Sequence, residues 1–169
     1  INTQDEFEKY LEKVIEHISS FNEDILIDKL NTNKIKPIIS ENNVVVFEVE
    51  TFDQSQQLGS PSWCISRSNY YFSEYKTENT KQYFMYDFNK DEKDNESMIG
   101  FTVKKDGSMK TQHAKNDDYH TVDEYLEKIV NKILYTEKEF YELSEETINK
   151  LENQFNPKNK KNLNKVQSI

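Results

Sequence analysis

Apolar residues recur at three- and four-residue steps near the start of the chain. Phe7, Tyr10, Leu11, Val14, Ile15 and Ile18 stand among Glu and Lys, which predicts an amphipathic helix with a charged face in water. A shorter helix is expected over 22–30, with Asn22 as N-cap and Ile25, Leu26 and Leu30 turned inward, until an Asn-Thr-Asn run ends it. From Ile35 the period changes. Residues 44–50, V-V-V-F-E-V-E, are β-branched and alternate at their end, as a strand does. Thr51 then caps a short helix that Gly59 closes and Pro61 keeps from resuming. Residues 63–66, W-C-I-S, read as a short strand, 69–75 as a helical turn or two, and 82–88 as a strand. A charged loop over 89–96 leads to a hairpin of 97–103 and 108–113 across Lys-Asp-Gly.

The hairpin turn fixes where His113 points. A two-residue turn at Asp106-Gly107 sets His113 opposite Gly100. A three-residue loop with Gly107 left-handed puts Met109, Thr111 and His113 on the face of Val103, Phe101 and Ile99. Hydrophobic pattern normally decides register, and the second arrangement sets Met109 beside Val103. His113 is therefore expected to look toward a covered face.

After a polar stretch, Thr121 is expected to cap a helix, with Glu124 completing a capping box. Val122, Tyr125, Leu126, Ile129, Val130, Ile133 and Leu134 form its apolar stripe. Ser144 begins another helix, with Ile148, Leu151 and Phe155 inward and Pro157 as its stop. Helices, then strands, then helices make the α+β signature: an antiparallel meander of four to five strands flanked by N-terminal and C-terminal helices. The expected organisation is one domain over 1–156, helical in 1–34, sheet-containing in 35–114 and helical again in 121–156. A basic tail, 157–169, is expected to be disordered.

Composition narrows the function classes. The 169 residues are 34% hydrophobic and 31% charged, but 12% aromatic, so the core is built from rings and β-branched side chains. The single Cys excludes an internal disulfide and any zinc site made from Cys pairs. No apolar run is long enough to cross a bilayer, and no secretory leader is recognisable. The formal charge of −9 disfavours nucleic acid as a partner, because phosphate affinity comes from Lys and Arg. An acidic surface suits basic partners instead. Of 22 basic residues only Arg67 is an arginine, and Asn is abundant, a bias that reflects AT-rich coding. The first residue is Ile, so the chain is expected to be a fragment of a longer protein.

Glycines at 59, 100 and 107 make no phosphate loop. Metal chemistry would have to draw on His113, His120, Asp117 and Asp118, a set that reads as a polar connection, so no metal and no cofactor are expected. Cys64 with His113 is the best nucleophile and base pair on offer, with Asp117 to orient the imidazole. The plainer reading makes Cys64 a small core residue. On a strand, Trp63, Ile65 and Arg67 would face one way, and Cys64 and Ser66 the other. Arg67 could then fork onto a carboxylate or phosphate beside an aromatic wall of Tyr70, Tyr71, Phe72 and Tyr75, with Trp63 and Ser66 nearby.

The run V-V-V-F-E-V-E-T-F-D-Q-S-Q-Q-L-G-S-P-S-W-C-I-S, followed by Y-F-S-E-Y, Q-Y-F-M-Y-D-F and I-G-F-T, resembles a loose group of tailed-bacteriophage proteins. In that group a strand leads to a short helix ending in Gly, then Trp-Cys, an aromatic-x-x-Tyr and an apolar strand. The likeness covers about 44–113. Ile65 stands where that group often has Thr, and the Gly that usually precedes the later strand is missing between Tyr75 and Gln82. The resemblance carries no catalytic set. It implies a phage accessory protein, or a domain of a larger phage protein, in the host cytoplasm. Such a protein would bind a phage or host protein in takeover, transcription, replication or counter-defence. The rival expectations are a thiol enzyme using Cys64 and His113, and nucleotide or nucleic-acid binding through Arg67 and the tyrosines.

Overall fold

The structure is a computed structural model that describes residues 3–19, 21–119 and 123–156. It is α+β. Five strands form one antiparallel sheet in sequence order: β1 (Ile39–Glu41), β2 (Val44–Val49), β3 (Thr80–Asp87), β4 (Met98–Lys104) and β5 (Met109–Ala114). Helices α1 (Thr3–Ser19) and α2 (Glu23–Thr32) precede it. Three short helices, α3 (Phe52–Leu58), α4 (Cys64–Arg67) and α5 (Asn69–Tyr75), fill the crossover from β2 to β3. Helices α6 (Glu124–Thr136) and α7 (Glu145–Phe155) follow the sheet. Among the described residues, no helix is long and apolar enough to cross a membrane.

Both faces of the sheet are covered, which explains why β2 and β4 read as near-continuous apolar runs. Val44, Val46, Tyr83, Met85, Ile99, Phe101 and Val103 pack under α6 and α7 through Leu126, Ile133 and Leu151. Val45, Phe47, Val49 and Phe84 pack on the opposite face under α2 to α5, through Leu30, Leu58, Trp63 and Phe72.

Local chemistry sets the helix ends. Asn22 accepts from the amides of Asp24 and Ile25, as its position before an apolar run implies. Thr51 and Gln54 form the reciprocal capping box at α3. At α6 the cap is Asp123, which accepts from the Leu126 amide. Thr121, the expected cap, and Val122 lie outside the described residues, as does the tail 157–169. On the expected inward stripes, Tyr125 of α6 and Ile148 of α7 are exposed.

The expected strand over 63–66 is a correction. These residues form the N-cap and body of α4, closed by the Ser68 amide donating to the Cys64 carbonyl at 2.9 Å. An apolar run this short fits either period. Packing decides it, because the helical turn buries Trp63, Ile65 and Ser66 together. Gly59 closes α3 with φ −90°, so left-handed freedom is not its role. Space is: a Cβ there would lie 2.2 Å from Ser66 Oγ and 2.7 Å from the Ser55 carbonyl oxygen. Gly59→Ala is expected to lower stability by about 1–3 kcal/mol through overpacking. A urea midpoint equal to that of the unsubstituted chain would count against this.

The register of β5 is the second correction. Met109 pairs with Val103 as the apolar pattern requires, but an irregularity between Thr102 and Val103 shifts the rest, so Thr111 pairs with Thr102 and His113 with Gly100. The extra residue moves every later side chain to the other face. His113 thus lies on the α4–α5 side of the sheet, not with Ile99, Phe101 and Val103.

Candidate functional site

Four side chains capable of proton transfer meet where α4 and α5 cross the end of β5. Cys64 opens α4, is half-buried and has no disulfide partner. Tyr75 closes α5. His113 sits near the end of β5, and Asp117 lies in the turn beyond it at φ 72°, a left-handed conformation that Asp tolerates better than most side chains. Together with Trp63 they line one cavity. Its free space is about 10 Å³, on the order of a single water molecule.

The floor of the cavity is rigid. Trp63 is buried, and its indole N–H donates to the Ala114 carbonyl at 2.7 Å. The ring lies on Gly100, where a Cβ would come within 3.2 Å of it. An isolated glycine inside a strand often marks such a close approach. Gln82, also lining the cavity, donates to the Phe101 carbonyl at 3.2 Å and accepts from Thr102 Oγ1 at 2.7 Å, so the buried amide is satisfied.

The rim is polar and partly wet. His113 Nδ1 is 3.6 Å from the Asp117 carboxylate and 3.4 Å from the Asp117 carbonyl oxygen. The two side chains are 32% and 37% exposed, so the contact orients the ring more than it stabilises the fold. Burial pushes the Tyr75 phenol above its ordinary value, and the nearby Cys64 thiol pushes the same way, with smaller contributions from Asp117 and Tyr71. These groups can pass a proton and hold a small polar molecule. Among the described residues no three His, Cys, Asp or Glu side chains are placed to hold a metal ion. His120, a candidate ligand with His113, Asp117 and Asp118, lies outside them.

The other residues to which the sequence points are dispersed. Arg67 is exposed and does not line this cavity. Ser66 is buried, with its hydroxyl 3.2 Å from Ser55 Oγ. Tyr71 is exposed and stands edge-on to the exposed Tyr70, whereas Phe72 belongs to the core. The α4 turn is the reason, since successive residues there fan out by about 100° rather than alternate. Gln82, Gly100 and Thr111 are site residues that sequence reasoning missed, and only Gly100 carried a signal of close approach. No family model, curated protein or solved structure matches the chain.

Proposed function

We propose that the chain is a bacteriophage accessory protein, or one domain of a larger phage protein, that acts by binding a protein partner in the host cytoplasm. The observation that carries this reading is α1. Its Phe7, Tyr10 and Leu11 stand at three- and four-residue steps yet are 60%, 65% and 39% exposed. A helix that keeps these three apolar side chains in water gains when a partner covers them, by about 1.5–3 kcal/mol for each large side chain fully buried. Acidic residues, Asp5 and Glu6, occupy its first turn, and the net charge of −9 favours a basic partner surface. The phage attribution rests on the resemblance over 44–113.

Affinity capture from phage-infected and uninfected host lysates tests the reading, with a Phe7→Glu/Tyr10→Glu variant in parallel. A retained partner that the variant loses, at unchanged thermal stability, is the expected result. No retained partner, or one that the variant retains equally, overturns it.

A further inference from the structure

We infer that Cys64 is a peroxide-reactive thiol, with His113 as its base and Tyr75 lining the same cavity, and that its substrate class is the smallest hydroperoxides. This function is separate from partner binding through α1. Two observations carry it together.

The first is convergence. A thiol, a phenol, an imidazole and a carboxylate come from α4, α5, β5 and the turn beyond β5 to line one cavity. A nucleophilic thiol and an imidazole that line the same cavity, with a carboxylate beside the imidazole, make the residue set that thiol chemistry draws on. The Asp117 carboxylate stands 3.6 Å from His113 Nδ1.

The second is size. Space of about 10 Å³ holds one water or a molecule scarcely larger, so a reactant seated wholly within it is small. Trp63, tied to the Ala114 carbonyl and seated on Gly100, keeps that floor from yielding. Hydrogen peroxide is a polar electrophile of the right size.

The step balances without a further reactant. His113 takes the thiol proton, sulfur attacks one peroxide oxygen, an S–O bond forms and the O–O bond breaks. Sulfur is oxidised to the sulfenic acid while the peroxide is reduced. The departing hydroxide receives the proton from the imidazolium and leaves as water.

Intact-mass spectrometry of the full chain during hydrogen peroxide treatment tests this. The expected result is a one-oxygen gain that dithiothreitol reverses and that Cys64→Ser abolishes. It should form at least ~10-fold faster in the folded chain than in the urea-unfolded chain, and at least ~10-fold faster with hydrogen peroxide than with cumene hydroperoxide. His113→Gln should slow it by about 10-fold or more with the near-UV signal of Trp63 unchanged. Should that variant fail to fold, His113→Asn replaces it and should slow the reaction by a similar factor. A folded rate equal to the unfolded one, or a rate indifferent to His113→Gln or its replacement, overturns the inference. So does a reversible gain that persists in Cys64→Ser.

Discussion

Replacing Trp63 with Ala is expected to cost about 3–5 kcal/mol of folding stability. The side chain is 1% exposed, packs tilted against Phe84 with ring centroids 4.9 Å apart and fills the space that Gly100 leaves open on β4. Its truncation leaves a cavity between α4 and the sheet and removes the indole donor to the Ala114 carbonyl. For a chain of this length each kcal/mol shifts the midpoint by about 2–4 °C, so calorimetry should show a fall on the order of 10 °C. Trp63→Phe keeps part of the packing but loses the N–H and some of the ring that covers Gly100, so its cost should be smaller, about 1–3 kcal/mol. A Trp63→Ala variant within about 1 kcal/mol of the parent would mean that the indole is not the fastening between α4 and β4. Because Trp63 precedes Cys64 directly, the same truncation should also erode the size selectivity of the thiol.

Alkaline pH is expected to unfold the protein steeply. Burial pushes the phenols of Tyr83, Tyr86 and Tyr141 well above the ordinary tyrosine value. Tyr141 and Glu137 push Tyr83 further in the same direction. Tyr86 donates to the Leu58 carbonyl, and Tyr83 and Tyr141 share a hydrogen bond of 2.6 Å. Each group holds its proton more tightly folded than unfolded. The stabilisation is therefore whole below about pH 10, where unfolded tyrosine is neutral. It is lost as pH rises beyond that, because the unfolded chain releases protons that the folded chain retains. Three such groups together remove about 4 kcal/mol by about pH 11, from about 1.4 kcal/mol per group and pH unit.

Lys81 acts with the same sign. Burial opposes its charge, but Glu137 and Glu48 outweigh that and raise it above the ordinary lysine value, so its contribution too is present at neutral pH and is lost on the alkaline side. Urea titrations at about pH 9, 10 and 11, with phenolate absorbance followed in parallel, should show stability falling together with a cooperative burst of phenolate. Tyr83→Phe should reduce that slope by about one third. Gradual phenolate formation by all three tyrosines in a chain that stays folded would contradict the buried network.

How far the sequence could be read differs between scaffold and site. The N-cap of α2, the capping box of α3, the Ser144 cap of α7 and strands β2 to β5 all follow from neighbours within a few residues, and such signals survive folding because they are local. Strand β1, three residues long, is too short to carry a period of its own. Residues 63–66 misled for the same reason. For His113 both sequence alternatives held one true element: Met109 does oppose Val103, and His113 does oppose Gly100. Neither alternative contained the irregularity that makes both true. An extra residue in one strand leaves no local signature when the residue, as in M-K-T, is an ordinary strand member.

By itself the sequence determined the α+β class, the meander order and the identity of the chemistry-bearing residues, because periodicity and capping are written in neighbouring side chains. It also placed Cys64, His113 and Asp117 together as a hypothesis from residue type alone. Only the tertiary structure decided that those three share a cavity with Tyr75, that Arg67 stays outside it, and that the space among them admits little more than a water molecule. The physical reason is that residues far apart in the chain, from Trp63 to Asp117, make the cavity, and how closely Trp63 settles on Gly100 sets its volume. Interior packing is sensitive to single methylene groups, and a spacing of that fineness is set by the whole fold rather than by any segment of it.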